Sequence, residues 1–196
     1  PYQGSLSHAA PEHSRSITLF FRVHDAELAF QPGWPAAKKV DGNVYIQDGD
    51  VRIDASKGQI LDTQVSDVQV RVPHVPAGEL SHLYVDGKFD GSLGDGLKIL
   101  QQAPIGTGPI FEGWQGTGPL QGKLNLDIPL EKGHEPKVVV DFDTRDASLK
   151  IANPQLDLSK LKGSFRFDFD KGLSGQGIST QAFDKPVTAQ IFAEGK

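Results

Sequence analysis

Cysteine and methionine are both absent from these 196 residues. Without Cys there is no disulfide, no thiolate metal site and no cysteine nucleophile. Long apolar runs are missing too. The longest aliphatic and aromatic runs are three residues, as at Leu19 to Phe21 and Val138 to Val140. A bilayer-crossing helix needs about 20 apolar residues, so none is written here. No charged start followed by an apolar core marks a signal peptide. A basic excess is lacking as well: the formal charge is -5 and the pI about 5.6, with acids and bases interspersed. That leaves no electrostatic footprint for nucleic acid and no polybasic patch for an anionic membrane surface. The chain starts at Pro1 and has no Met. It is expected to be an excerpt of a longer protein.

What is present is turn chemistry and alternation. The 22 Gly and 13 Pro are about half again the usual share, and they fall between short apolar runs. Within those runs the period is two. Ile17, Leu19, Phe21 and Val23 alternate with polar or smaller neighbours, as do Val44 and Ile46, Val51 and Ile53, and Val68, Val70 and Val72. Leu120, Gly122, Leu124, Leu126, Ile128 and Leu130 form the longest series. Val138, Val140 and Phe142 follow, then Phe165, Phe167 and Phe169, then Val187, Ala189 and Ile191. Such alternation predicts antiparallel strands with one apolar and one wet face. Asp48-Gly49-Asp50 reads as a hairpin turn. Helix is expected only at Leu93 to Gln102, where Leu93, Leu97 and Leu100 share a face, although Gly94 and Gly96 weaken it. Ala103 to Gly118 reads as an irregular loop containing Phe111 and Trp114.

The chain also repeats itself. Residues 16–28 lie over 137–149 without a gap, at an offset of 121 residues. Phe21, Asp25, Ala26 and Leu28 recur as Phe142, Asp146, Ala147 and Leu149; Lys39 and Gly42 recur as Lys160 and Gly163. Alternation alone would match apolar positions, but not a shared Asp-Ala-x-Leu and Lys-x-x-Gly in one register. The expectation is one β segment, 1–196, of a longer protein. It holds two meander units, about 16–72 and 137–193, with a helix and loop segment at 73–136 between them.

Chemistry-bearing patterns are scarce. The six His residues lack zinc-ligand spacing. Asp141, Asp143 and Asp146 lack the Asp-x-Asp-x-Asp-Gly order of a calcium loop and read as a solvated face. No Gly-x-Ser-x-Gly elbow occurs, and the Gly-rich stretches lack a following Lys-Ser/Thr. No catalytic residue, metal site or cofactor is expected. The apolar row remains. Its simplest fate is a closed core, as in a β-sandwich; the alternative is a sheet that leaves an apolar groove open.

Particular residues favour the groove. His24-Asp25-Ala26-x-Leu28, Phe30, Pro32-Gly33-Trp34-Pro35 and Val40-x-Gly42 resemble the AsmA-like proteins of YhdP type. So do Leu97-x-Ile99-Leu100 running into Pro104-Ile105, and Gly122-x-Leu124-x-Leu126-x-Ile128-Pro129-Leu130. The resemblance spans about residues 16 to 193. It implies a mostly β fold: a curved antiparallel sheet of repeated meander units around an open apolar groove, with one short helix. It further implies a periplasmic protein anchored in the inner membrane, conducting phospholipid toward the outer membrane and supporting the outer-membrane barrier, without catalysis. Both membranes would be reached through parts outside this chain. The expected groove-facing, lipid-binding side chains are Ile17, Leu19, Phe21, Val44, Ile46, Leu124, Leu126, Ile128, Val138, Val140, Phe142, Phe165 and Phe167. The alternative is a non-transporting envelope scaffold with a closed core. In either case the terminal strands are raw sheet edges that invite self-association of an isolated fragment. Trp34, which the second copy replaces with Gln155, is expected to plug the corner or the end of the apolar face, as Trp is usually largely buried.

Overall fold

The alternating runs assemble into one sheet. The computed structural model describes residues 2–4, 15–29, 33–104, 106–131 and 133–193. The strands are β1 (Tyr2–Gly4), β2 (Arg15–Leu28), β3 (Ala37–Gln47), β4 (Asp50–Ile60), β5 (Thr63–Val72) and β6 (His82–Ser92). After the helix α1 (Leu93–Gln102) come β7 (Gln115–Thr117), β8 (Pro119–Pro129), β9 (Lys137–Ile151), β10 (Leu156–Asp168), β11 (Gly172–Ala182) and β12 (Lys185–Ile191). Each strand pairs antiparallel with the next in chain order. The exception is the short β7, which shares the β8 side of β9. The sheet does not close, and no second sheet faces it among the described residues. The fold is therefore a mostly β, open antiparallel meander with one short helix, and not a sandwich. Phe30, Pro32 and Ile105 lie outside the described residues.

Local chemistry sets the corners. Asp48 and Gly49 both have positive φ, 49° and 98°, as a two-residue turn matching the twist of its flanking strands requires. The paired strands β2–β3 and β9–β10 also share their register. Leu19↔Ile46, Phe21↔Val44, Val23↔Gly42, Ala26↔Val40 and Leu28↔Ala37 sit 121 residues from Val140↔Phe167, Phe142↔Phe165, Thr144↔Gly163, Ala147↔Leu161 and Leu149↔Leu158; Thr144↔Gly163 included, every pair coincides. Register shifts interrupt both ladders at the same points. Lys39 and Lys160 adopt nearly the same left-handed φ, 52° in each. Bulges of this kind bend a strand and raise its twist.

Segment 73–136 supplies the expected α1 and β8, and adds β6 and the short β7, which falls inside the stretch 103–118 expected to be an irregular loop. Ser92 caps α1, its Oγ accepting from the Asp95 backbone N–H at 3.1 Å. Gly94 and Gly96 do not break the helix; they let it dock. A Cβ at Gly94 would lie 2.8 Å from the Gly116 carbonyl oxygen, and one at Gly96 would lie 3.1 Å from Leu120.

Candidate functional site: an apolar face, part open and part roofed

Directly paired residues of an antiparallel ladder point to the same side, so the register fixes the composition of each face. Phe21, Val44, Ile53, Val70, Val85, Leu126 and Val138 follow one another across the sheet from β2 to β9. Leu124, Val140, Phe167 and Leu173 form a second row from β8 to β11. Val65, Phe89, Gly122, Phe142, Phe165, Gly175 and Ile191 form a third, reaching the last strand. Alternation carries Ile17, Leu19, Ile46 and Ile128 to this side as well. All the side chains expected to line a groove thus share one face.

The opposite face is polar and tied by ion pairs within and between strands. Arg52 meets Asp54 at 2.8 Å and Arg166 meets Asp141 at 2.9 Å. Asp41 accepts from the Asp25 backbone N–H at 2.9 Å, and its other partners are Lys57 at 2.9 Å and His24 at 2.8 Å. The backbone donor, then the Lys57 and His24 charges, lower its pKa to about 2. Asp143 accepts from Ser164. These carboxylates belong to a solvated surface. Among the described residues no group of His, Asp or Glu is placed to hold a metal ion, and no helix is long and apolar enough to cross a membrane.

Along the apolar face, cover is uneven. Ile17, Leu19 and Phe21 on β2 are 50, 50 and 45% exposed, whereas Val138 and Phe167 are 4 and 7% exposed. The difference comes from α1 and residues 106–114, which lie across the face over β8–β11. Leu97 and Phe111 pack with Val138 and Phe167, flanked by Leu93, Leu100, Trp114, Phe142 and Leu173. Phe111 meets Phe167 edge-on, with centroids 6.1 Å apart, and Phe142 stacks on Phe165 at 5.2 Å. Edge-on and offset contacts suit the ring quadrupoles. Val44 is buried without any such cover, being short and hemmed by Phe21 and Ile53.

A cavity of about 220 Å³ lies beneath α1. Its walls run from Ile60 and Val65 on β4 and β5 to Leu173 on β11, and include Leu97, Leu100 and Trp114 of the roof. Sequence reasoning located α1 and the face but not their union. The only hint was Leu93, Leu97 and Leu100 on one side of a helix that had no partner to hand.

A continuous apolar face on an open meander is what the AsmA-like resemblance implied, and comparison with known families decides the matter. The model of the YhdP family, described as YhdP protein, matches residues 1–194. The chain belongs to the YhdP family. Membership points to a role in lipid transport or in the cell envelope. No curated protein and no solved structure matches the chain. On this YhdP-type sheet Gly33 lies against Pro104, where a Cβ would come within 3.5 Å of the ring, and Trp34 is half-buried beside it. The corner therefore abuts the roof.

Proposed function

We propose that this chain is a segment of a periplasmic, inner-membrane-anchored protein that conducts phospholipid toward the outer membrane along its apolar face, and so supports the outer-membrane barrier. It works by binding, without catalysis or cofactor. One observation carries the reading: large apolar side chains on β2 stay about half exposed on a face that continues, row by row, across the whole sheet. A closed core would hide them. An acyl chain gains about 0.8 kcal/mol per CH2 on leaving water, so a tail of roughly 16 carbons is held by about 12 kcal/mol before entropy costs. Sliding along the face exchanges one apolar contact for another and needs no return to water. Charged head groups stay at the open side.

Native mass spectrometry of the detergent-free protein tests this. Phospholipid should co-purify and should fall several-fold in Phe21→Asp, a change at an exposed position that leaves the fold intact. Protein partners captured through loops, with no lipid on either form, would instead mark a scaffold module.

A further inference from the structure

The element over β8–β11 is built as a fixed roof. Its helix start is tied to the β4–β5 turn: Asp95, 3% exposed, accepts from the Asp62 backbone N–H at 3.1 Å and from Thr63 Oγ1 at 3.2 Å. Its far end is tied by Gln101, whose Nε2 donates to the carbonyl oxygens of Phe111 at 2.8 Å and Trp114 at 2.9 Å. The Thr107 hydroxyl donates to the Leu100 carbonyl. The stretch then enters the sheet as β7, paired with β9. Pro104 lies against Gly33 of one corner, and Gly113 lies against Ala152 of the equivalent corner in the second copy.

The space beneath it offers no polar partner. Three hydroxyls reach its wall, and each is already used within the protein. Thr63 donates to Asp95, Ser92 accepts from the Asp95 N–H, and Thr144 donates to the Pro119 carbonyl at 2.7 Å. A buried water needs two to four polar partners, so an apolar site of this kind stays dry; a cavity of about 150 Å³ with such walls takes benzene. By that ratio 220 Å³ admits about nine carbons. That is a length of one acyl chain and too little for two side by side. The face is open on both flanks of the roof: Leu19 and Phe21 are exposed on β2, and Ile191 on β12 is 37% exposed.

We infer that the space under α1 is a binding site for a single acyl chain, entered from the exposed apolar face, with the polar end of the ligand left outside the roof. The site rests on the lipid-conducting reading and adds to it a place where tails pass singly.

Trp114 lines the cavity, and Trp34→Phe leaves it as the sole tryptophan, since the chain has 2 Trp. Its fluorescence is read in the whole chain with two probes: dibromostearate, and vesicles of phosphatidylcholine carrying brominated tails. Quenching by either supports the site, and the probe that works tells whether a free fatty acid or a lipid tail supplies the chain. Gly96→Leu puts a side chain into the cavity from a helical position where the new Cβ meets one movable group, the Leu120 side chain, at 3.1 Å. Quenching should then weaken at least tenfold with the melting temperature kept. Should that variant unfold, Leu120→Phe fills the space from the sheet side with the same expected loss. Absence of quenching by both probes overturns the site, as does quenching that survives a folded filled variant. Phospholipid that co-purifies without any quenching of Trp114 sinks the roofed site alone. A protein that never carries lipid sinks the conducting reading beneath it.

Discussion

Phe21 and Phe142 hold equivalent places in two copies of one strand pair, and their surroundings differ. Each faces the apolar side and each has a cross-strand partner at the same register, Val44 for one and Phe165 for the other. Phe21 remains 45% exposed. Phe142 is half-buried, stacked on Phe165 and packed against the cluster of Leu97 and Phe111. Strand pattern therefore decides which way a side chain points, while an element inserted between the copies decides whether water reaches it. One region leaves its apolar side chains half exposed. The other has acquired its own core, in which Leu97 and Phe111 pack with Val138 and Phe167.

That contrast can be tested through stability, starting with the largest effect. Phe167→Ala empties a site packed by Phe111 and Leu97, and should cost about 3–5 kcal/mol in chemical denaturation. Phe21→Ala should cost about 1 kcal/mol, since half of its surface already meets water. Equal losses would erase the distinction between the two regions. The equivalent glycines should separate in the opposite sense. A Cβ at Gly42 would lie 2.8 Å from the Asp54 carbonyl oxygen and 2.9 Å from the Ala55 Cα, whereas one at Gly163 would keep a wider 3.1 Å from the Ile178 side chain and 3.2 Å from the Ile178 Cα. Gly42→Ala should thus destabilise by about 2 kcal/mol, and Gly163→Ala by clearly less, as seen in paired thermal melts.

Asp95→Ala removes the tie between the roof and the β4–β5 turn. It leaves the Asp62 N–H and the Thr63 hydroxyl without their acceptor, at about 1–2 kcal/mol. Hydrogen exchange should speed up in α1 and at Thr63 while β2 and β3 keep their protection; faster exchange everywhere would mean that the roof is not a separate unit. The smallest effect is acid-dependent. Asp41 has a pKa lowered to about 2 from an ordinary 3.8, so its ionised form is favoured in the folded state. Its contribution is complete above about pH 4 and fades as pH falls toward 2. The second copy has Lys162 at the equivalent place. Exchange between pH 4 and 2 should therefore rise at Asp25 and its neighbours before the β9–β10 bulge responds, and Asp41→Asn should abolish the difference.

Most of the sheet was legible because its strands alternate openly, and α1 was legible to its ends because three leucines outweigh two glycines. Strands β6 and β11 were not, and the reason is steric. On the apolar face their positions opposite bulky partners are glycines. A Cβ at Gly87 would lie 3.1 Å from Val68, one at Gly91 would lie 2.1 Å from Thr63, and one at Gly175 would lie 2.8 Å from Phe165. Small residues seated under large ones break the written alternation while preserving the packing. The site was half legible: period two places Ile17 through Phe167 on one side, but only the tertiary fold shows that α1 crosses that side. The approach of Gly33, beside Trp34, to Pro104 joins positions far apart along the chain and was not legible in local pattern.

The central claim is that one face of this sheet meets lipid and the other does not, and β2 presents both faces at adjacent residues. Photoreactive amino acids placed singly at Leu19 and Phe20 in cells make the most direct measurement. Phe20 is the more exposed of the two, at 56% against 50%, and is paired with Tyr45 on the polar face with centroids 5.0 Å apart. Phospholipid adducts at Leu19 with none at Phe20 are the predicted result. Equal adducts at both positions, or adducts at Phe20 alone, would contradict the account, since exposure rather than the apolar face would then govern contact with lipid.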